Sequence, residues 1–379
     1  MSQTFDDEFH PEFLETLSYE TPFFVFSRKK IKHEFVEFNK YFPVAEIHYA
    51  MKANSEPEVL KTLFDAGSGF EVASVYELNM LKEINVPPER IIYGTSIKPA
   101  AHIKAFFEYG VDRFAFDSFT ELEKIAIAAP GSRVYARMRV DDTGSVFQFS
   151  EKFGADRENI VPLLQRAKEL GLHPYGISFH VGSQASNVMA WANALDLIHP
   201  ILEHLQKLGI EIDVLNLGGG YPCRYVSSES DFDLKEIAEH TLARYKKLPY
   251  QPALILEPGR RIIAHTGVLV TSIIERVERT ENTWLFLDAG PYNALFESMA
   301  YQGSTRYRIR SMRPPHDAGE GLFALAGPTG DSADIITREA LLPKDIHVGE
   351  KLIVYDAGAY NLVASTRFNG FPKPSVYFI

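Results

Sequence analysis

Short apolar runs alternate with segments of helical spacing along most of the chain. Between residues 22 and 264 the runs are bounded by turn-forming residues and are rich in β-branched and aromatic side chains, which is typical of buried strands. These runs are residues 23–26, 47–51, 70–73, 91–93, 114–116, 134–140, 176–181, 214–217 and 254–256. The segments predicted as helices are residues 56–66, 75–84, 100–109, 120–128, 159–170, 190–208 and 234–247.

A strand followed by a helix, repeated about eight times, predicts an α/β fold of the (β/α)8 barrel type over residues 21–265. The structural alternative is a doubly wound open sheet. The barrel is favoured because polar residues follow the strand ends around the whole series, whereas a doubly wound sheet gathers them at one switch point.

The pattern changes after Gly267. Residues 268–277, 284–287, 307–310, 322–326, 351–355 and 376–379 read as strands, with turns between them and few helical segments. This pattern predicts a C-terminal β-sandwich or β-barrel domain over residues 266–379. Residues 1–20 either join that domain or cap the barrel.

The composition limits the class of protein. The chain has 379 residues, is 45% hydrophobic and has a formal net charge of −11, so it can bury a large core and is a poor match for nucleic acid. Its polar, acidic N-terminus is unlike a signal peptide, and no apolar run reaches the roughly 18 residues of a membrane-spanning helix. The single cysteine, Cys223, excludes an internal disulfide. We therefore expect a cytoplasmic protein without a membrane partner.

Lys52 follows a predicted buried strand and precedes a predicted helix. This is the mouth of a βα unit, where barrel enzymes carry their chemistry. A partly desolvated lysine there can lose its proton and bind an aldehyde covalently. The alternative is a surface lysine that merely ends a strand.

Three further strand ends carry candidate groups. His180 can lie flat on an aromatic ligand, or can be a hydrogen-bonded core histidine. The glycines at 218–220 let backbone amides approach an anion, although most glycine-rich turns simply turn. Glu257 can bond a protonated ring nitrogen while Gly259 and Arg260 hold a phosphate, or it can form an ion pair with Arg260.

The predicted second domain carries turns with chemistry of their own. Residues 327–334 are rich in small and acidic side chains, and residues 358–360 and 368–371 place aromatics beside glycine. Together with the barrel residues they make up the set that pyridoxal 5′-phosphate needs: a lysine for its aldehyde, a histidine for its ring, a glycine loop for its phosphate and a glutamate for its ring nitrogen. We predict no metal site.

Six ordered motifs carry a specific family resemblance. They are Tyr-Ala-Met-Lys-Ala-Asn at 49–54, His-Val-Gly-Ser-Gln at 180–184, Gly-Gly-Gly-Tyr-Pro at 218–222, Glu-Pro-Gly-Arg at 257–260, Gly-Pro-Thr-Gly-Asp-Ser-Ala-Asp at 327–334 and Phe-Asn-Gly-Phe at 368–371. The set resembles the alanine-racemase-fold, pyridoxal-phosphate-dependent amino acid decarboxylases (fold type III), within them the ornithine and lysine/ornithine decarboxylase branch. The resemblance implies a barrel, a β-domain, and a head-to-tail homodimer with shared active sites.

The resemblance also implies roles for individual residues. Lys52 would bind the cofactor's aldehyde, His180 would stack on its ring, and Glu257 would pair with its ring nitrogen. The residues expected to hold the phosphate are Ser183, Gly219, Gly220, Gly259, Arg260 and Tyr360. Arg139 and Glu71 match further cofactor-site positions, with Glu71 where the family pattern has aspartate.

The substrate would be met by acidic residues. The resemblance places Asp331, from the partner subunit, and Asp288 at the distal ammonium of the substrate, with Tyr292 and Gly330 beside them. Because a buried carboxylate without a counter-charge is costly, two of them select a cationic chain end and repel a diacid such as diaminopimelate. We therefore expect ornithine first and lysine next, giving a diamine such as putrescine and CO2 in polyamine biosynthesis. Arginine or a carboxylated polyamine is the alternative substrate.

Gly330 departs from the family pattern, which has a cysteine that protonates the substrate carbon after CO2 is lost. Without it the enzyme could be slower, act on another substrate, or give a carbonyl product as a decarboxylating transaminase does; Cys223 is no obvious substitute. A non-catalytic alternative, an antizyme-inhibitor-like binding protein, is disfavoured because the cofactor residues are intact. A racemase on the same fold is disfavoured because the paired carboxylates would have no task.

Overall fold

Eight parallel strands close into a barrel in this computed structural model, which describes residues 8–225, 233–300, 307–313 and 319–379. The strands in chain order are β1 Phe23–Phe26, β2 Ala45–Ala50, β3 Gly69–Val72, β4 Ile91–Tyr93, β5 Arg113–Phe116, β6 Arg133–Arg137, β7 Ser145–Phe147, β8 His173–Ser178, β9 Ser183–Ala185, β10 Val214–Asn216, β11 Ala253–Leu256, β12 Gly267–Glu278, β13 Thr283–Leu287, β14 Ile309–Ser311, β15 Glu320–Ala326, β16 Ile335–Pro343, β17 Lys351–Val354 and β18 Ser375–Phe378.

Helices follow most of the barrel strands. The helices in chain order are α1 Pro11–Thr16, α2 Arg28–Tyr41, α3 Pro57–Asp65, α4 Val75–Glu83, α5 Ala100–Tyr109, α6 Phe119–Ala128, α7 Ile160–Glu169, α8 Ala190–Lys207, α9 Leu234–Tyr245, α10 Arg260–Ile263 and α11 Glu297–Ala300. No helix within the described residues has the length and apolarity that crossing a membrane requires.

The described chain divides into two units, taken from the ranges Phe35–Cys223 and Phe232–Arg261 for the barrel and Met1–Glu34, Arg224–Asp231 and Ile262–Ile379 for the β-rich unit. The barrel runs in the order β2, β3, β4, β5, β6, β8, β10, β11 and back to β2, and every pair is parallel. The predicted (β/α)8 barrel is therefore confirmed.

The α3 and α4 helices show why the predicted segments fold as helices. Pro57 starts α3, where its missing N–H costs nothing, and α3 turns Val59, Leu60 and Leu63 inward, all fully buried. Ser74 caps α4 by accepting from the backbone N–H of Glu77 at 3.3 Å. The N-termini of α3 and α4 are thus set by residues within the segments themselves.

The β-rich unit is a mostly antiparallel sheet of eight strands in the order β14, β17, β12, β13, β15, β16, with β1 against β12 and β18 against β1. Phe9 and Leu14 pack on Phe23, Val25 and Val268 in its core. The described residues before Thr21 belong to this unit.

One predicted barrel strand was wrong. Residues 23–26 form β1, which pairs with β12 and β18 in the β-rich unit and not with any barrel strand. All four residues of β1 are buried, because the strand is paired on both edges and covered on both faces. An all-apolar run of this length suits any central strand, so the pattern alone does not say which sheet it joins.

Candidate active site

Lys52 lies in the short 3-10 turn Met51–Ala53 that directly follows β2. Its Nζ is 2.7 Å from Oε2 of Glu71, whose side chain is only 3% exposed on the neighbouring strand β3. Gly94 makes room for this carboxylate, since a Cβ at Gly94 would sit 2.6 Å from the Glu71 side chain. The ion pair holds the lysine at the barrel mouth while leaving 42% of its side chain exposed.

A cavity of about 210 Å³ opens beside this pair. Its lining combines charged groups with aromatic rings, which suits a flat, charged ligand. The lining residues are Lys52, Glu71, Gly94, Thr95, Tyr135, Arg137, Phe149, Phe153, Ser178, Phe179, His180 and Glu257. The structure thus brings together Lys52, His180 and Glu257, predicted from the sequence at three different strand ends, with Glu71 of β3.

The Glu257 carboxylate is held by Asn216, a buried residue at the end of β10 that the sequence analysis missed. Asn216 donates from Nδ2 to Oε1 of Glu257 at 2.6 Å and accepts at Oδ1 from the backbone N–H of Gly218 at 2.9 Å. Burial first, and then the charge of Glu71, raise the pKa of Glu257 to about 7, although Lys52 and Asn216 oppose the shift. A carboxyl with such a pKa can share a proton with a ring nitrogen.

His180 follows β8 by two residues and is neutral. Burial, followed by the positive charges of Arg137 and Lys52, lowers the pKa of His180 well below its ordinary value. Its Nδ1 accepts from the backbone N–H of Gly182 at 3.0 Å, so the ring proton is on Nε2. Phe149 meets the imidazole edge-on, with the ring centroids 5.0 Å apart and the planes at 72°. The imidazole is therefore held in one orientation.

The glycine loop packs closely against the loops that follow β8 and β11. Gly220 adopts φ 96°, and a Cβ there would sit 2.2 Å from the carbonyl oxygen of Gly182. At Gly219 a Cβ would lie 2.5 Å from the carbonyl oxygen of Glu257. Only glycine allows this close approach of the backbones.

Ser183 and Arg260 meet near the same loops. The Arg260 guanidinium, 4% exposed, lies 3.3 Å through Nη2 and 3.4 Å through Nε from Oγ of Ser183. Gly259 packs against Ala53, because a Cβ at Gly259 would come within 2.9 Å of Ala53 Cβ. A buried guanidinium beside a hydroxyl can bind an anionic group.

Arg139 does not line the cavity, contrary to the sequence analysis. It is half-exposed and forms an ion pair with Asp156 at 3.1 Å. The predicted strand ran to residue 140, but β6 ends at Arg137. The backbone N–H of Met138 still donates to Ser178 of β8, whereas that of Arg139 donates to Ala155. Arg137 is the residue at the strand end and lines the cavity. Arg137 is the first charged residue after the buried run 134–136 of β6, and this is the signal that could have found it.

The remaining predicted residues lie in the β-rich unit. Tyr292 stacks on Phe368 with the ring centroids 4.5 Å apart, and desolvation and then Asp331 raise the pKa of its phenol. Gly330 donates its backbone N–H to Oδ1 of Asn369 at 3.3 Å. The structure thus gathers Tyr292, Gly330 and Asp331 in one cluster.

Asp288 and Tyr360 also lie in the β-rich unit. The Asp288 carboxylate accepts from Oγ1 of Thr271 at 2.5 Å and from the backbone N–H of Ser272 at 3.0 Å, so it is tied to β12. Tyr360 follows β17 in a left-handed conformation with φ 57°. The hydrogen bonds of Asp288 therefore serve its own sheet.

Residues 28–264 match the model of the pyridoxal-dependent decarboxylase family, specifically its pyridoxal-binding domain. The chain belongs to the pyridoxal-dependent decarboxylases. The lysine/ornithine decarboxylase of Selenomonas ruminantium is 35% identical over 362 residues, covering 94% of this chain and 90% of the relative. Antizyme inhibitor 2 of Xenopus laevis is 30% identical over 368 residues, covering 94% of this chain and 80% of the relative.

Solved structures of decarboxylases share the whole fold. SrLDC in complex with pyridoxal phosphate and cadaverine superposes with a TM-score of 0.89 at 33% identity, covering 97% of this chain and 93% of that chain. The arginine decarboxylase of Paramecium bursaria Chlorella virus bound to agmatine does so with a TM-score of 0.89 at 30% identity, covering 97% and 98%. The α/β barrel with a C-terminal β-rich domain is thus shared with these enzymes.

This decarboxylase uses pyridoxal phosphate and is a carboxy-lyase. Its cavity fits the cofactor, because an amine paired with a carboxylate, a second carboxyl with a pKa of about 7 and a glycine cradle meet at one barrel mouth. Bound pyridoxal phosphate supplies an electron sink for the charge left when CO2 departs. The non-catalytic alternative is therefore set aside.

Proposed function

We propose that this enzyme decarboxylates a basic L-amino acid, with ornithine the favoured substrate and lysine next, giving a diamine and CO2 for polyamine synthesis. The observation that carries the proposal is the 35% identity to a lysine/ornithine decarboxylase over 94% of the chain. The agmatine-bound arginine decarboxylase keeps arginine as the third candidate. A diacid substrate is disfavoured because Asp331 would repel its second carboxylate.

The proposed roles follow the cavity. Lys52 binds the cofactor's aldehyde carbon, and Glu71 keeps its amine at the mouth at 2.7 Å. Neutral His180 covers one face of the ring, and Glu257 bonds the ring nitrogen. The groups proposed to hold the phosphate are Ser183, Gly219, Gly220, Gly259, Arg260 and Tyr360. Arg137 takes the cofactor-side place that had been assigned to Arg139.

The substrate side is proposed to come from the β-rich unit of a second copy. Asp331, in a cluster with Tyr292 and Gly330, would reach the substrate's distal ammonium in a homodimer with shared active sites. Asp288 keeps only a supporting role in this proposal, because its carboxylate is bound to Thr271 and Ser272. The single cysteine and the acidic composition support a cytoplasmic location.

The decisive experiment offers the pyridoxal-phosphate-loaded protein ornithine, lysine, arginine and diaminopimelate and measures CO2 and amine. Ornithine and lysine should give amine, diaminopimelate should give none, and Lys52→Ala should abolish turnover. Lys61→Ala, at an exposed position on α3, is the control and should keep full activity. A loaded protein that turns over none of the four substrates would reject the proposal.

Gly330 decides what the products are. A Cβ at this position would meet no atom within 4 Å, and the position needs no left-handed backbone, so Gly330→Cys should fold normally. If proton delivery to the substrate carbon limits the wild type, the cysteine variant makes amine faster and with less carbonyl by-product. Mass spectrometry of both products with ornithine and lysine measures this. An unchanged rate and product ratio would contradict the protonation argument.

A further inference from the structure

Gln184 forms two hydrogen bonds to the backbone of Cys223, one through each polar atom of its side-chain amide. Its Nε2 donates to the carbonyl oxygen of Cys223 at 3.0 Å, and its Oε1 accepts from the Cys223 backbone N–H at 2.8 Å. Because a backbone N–H can only donate and a carbonyl can only accept, these partners settle the amide's orientation. The side chain is 2% exposed, so both hydrogen bonds are shielded from water.

The backbone of Gln184 is unusual as well. It lies in the left-handed region with φ 56°, in the middle of β9. A residue with a Cβ occupies this region only at an energetic cost, so the surroundings must hold it there. The amide grip on Cys223 is one such restraint. A second is the backbone N–H of Ala185, which donates to the carbonyl oxygen of Gly220 at 3.1 Å.

These contacts join two segments that border the proposed phosphate site. Ser183, the neighbour of Gln184, contacts Arg260 through its hydroxyl. Cys223 directly follows the glycine loop at 218–222, and within that loop Gly220 is packed so closely on Gly182 that no Cβ fits between them. Gln184 therefore links the Ser183 segment to the residue that follows the glycine loop.

We propose that Gln184 is a positioning residue that holds the Ser183 segment and the glycine loop at the separation that binds the cofactor's phosphate group. The proposal rests on the proposed assignment of the phosphate to Ser183, Gly220 and Arg260. It adds a residue that touches no ligand and acts only through the loops it joins. Its loss should weaken recognition of the phosphate more than recognition of the rest of the cofactor.

Two variants of the full-length chain separate the amide grip from the backbone strain. Gln184→Gly removes both hydrogen bonds and also relieves the left-handed strain, so it should fold. Gln184→Glu keeps the shape and the acceptor for the Cys223 N–H but sets a carboxylate against the Cys223 carbonyl oxygen. Ile125→Val, on the buried face of α6, is a control that loosens packing away from these loops.

The measurement is the dissociation constant of each variant for pyridoxal phosphate and for pyridoxal, which lacks the phosphate. Both Gln184 variants should bind pyridoxal phosphate about tenfold more weakly while their affinity for pyridoxal stays within about twofold of wild type. Ile125→Val should leave the ratio of the two constants unchanged.

A ratio that stays at the wild-type value in the Gln184 variants overturns the proposal, whether both affinities stay the same or fall together. The result is independent of the substrate. If the Gln184 variants show the phosphate-specific loss but the wild type makes no amine from ornithine or lysine, the positioning role of Gln184 is supported and the proposed function is rejected.

Discussion

At the scale of single residues, the site depends on ionisable groups whose charge is set by burial. Glu257 and His180 both line the cavity at the barrel mouth, and desolvation there moves the pKa of the carboxyl up and that of the imidazole down. Each shift favours the neutral form of its group. Beside them, Lys52 and Glu71 form an ion pair at the barrel mouth, 2.7 Å apart.

The raised pKa of Glu257 predicts how the cofactor-free chain responds to pH. Between the ordinary carboxyl value of 4.5 and about 7 the folded chain holds one proton more than the unfolded chain, so stability falls as pH rises through this window. Glutamine does not titrate in this range. Between pH 4.5 and 7 the free energy of unfolding of Glu257→Gln should therefore fall less than that of wild type, by at most roughly 3 kcal/mol.

Urea unfolding of the cofactor-free chain at several pH values tests the response. Glu151→Gln, at an exposed site on the loop after β7, should follow wild type at every pH. Parallel curves for wild type and Glu257→Gln would show that Glu257 is not protonated in the folded chain.

At the scale of elements, the long connection between β6 and α7 carries Phe149 and Phe153 to the cavity. The carboxylate of Asp142 shapes this connection by accepting from the backbone N–H groups of Phe149 at 2.5 Å and Ser150 at 2.8 Å. Gly154 closes it with φ 97°, donating to Asp117 at 2.9 Å. The aromatic wall of the cavity therefore depends on a few polar anchors in a loop.

Gly154→Ala should disturb this element more than an ordinary left-handed glycine would. A Cβ at Gly154 would lie 2.8 Å from the backbone nitrogen of Arg139, whereas at Gly171, φ 73°, it would meet nothing within 4 Å. We expect a loss of roughly 2 to 3 kcal/mol for Gly154→Ala and about 1 kcal/mol for Gly171→Ala. Urea unfolding measures both. Equal losses would mean that the contact with Arg139 relaxes at no cost.

At the scale of the whole molecule, the predicted site residues are divided between two units. The barrel unit holds the residues proposed to bind the cofactor's aldehyde, ring and nitrogen, whereas Asp331, Tyr292 and Gly330 belong to the β-rich unit. A site shared between two copies makes the oligomer part of the chemistry. The two sets of residues can then be inactivated on different copies.

Mixing two inactive variants tests the shared site. Lys52→Ala and Asp331→Ala, exchanged into mixed dimers, should regain about a quarter of wild-type activity, because half of the dimers are mixed and each has one intact site. Lys52→Ala mixed with Glu257→Ala should stay inactive, because both changes fall in the same unit. A mixture of the first pair that stays inactive would contradict sites shared between copies.

Much of the fold was accessible from local patterns. The helix predicted at residues 100–109 coincides with α5, and the other predicted helices end within a few residues of the observed ones. The sequence pattern did not predict the strongly polar helix α2. It also did not predict β16, which pairs with β15 and follows the turn-rich segment at 327–334. Both depend on packing against distant elements, which a local window does not contain.

The sequence by itself determined the strand–helix alternation that predicts a barrel and the ordered motifs that indicate the cofactor. Both could be found from sequence because strand and helix periodicity and the chemistry of short motifs are local properties. Only the tertiary structure decided that β1 leaves the barrel, that Arg137 and not Arg139 faces the cavity, and that Asn216 and Gln184 hold the groups around it. Those outcomes depend on where a strand ends and on hydrogen bonds between segments 39 or 41 residues apart, which form only when the chain closes.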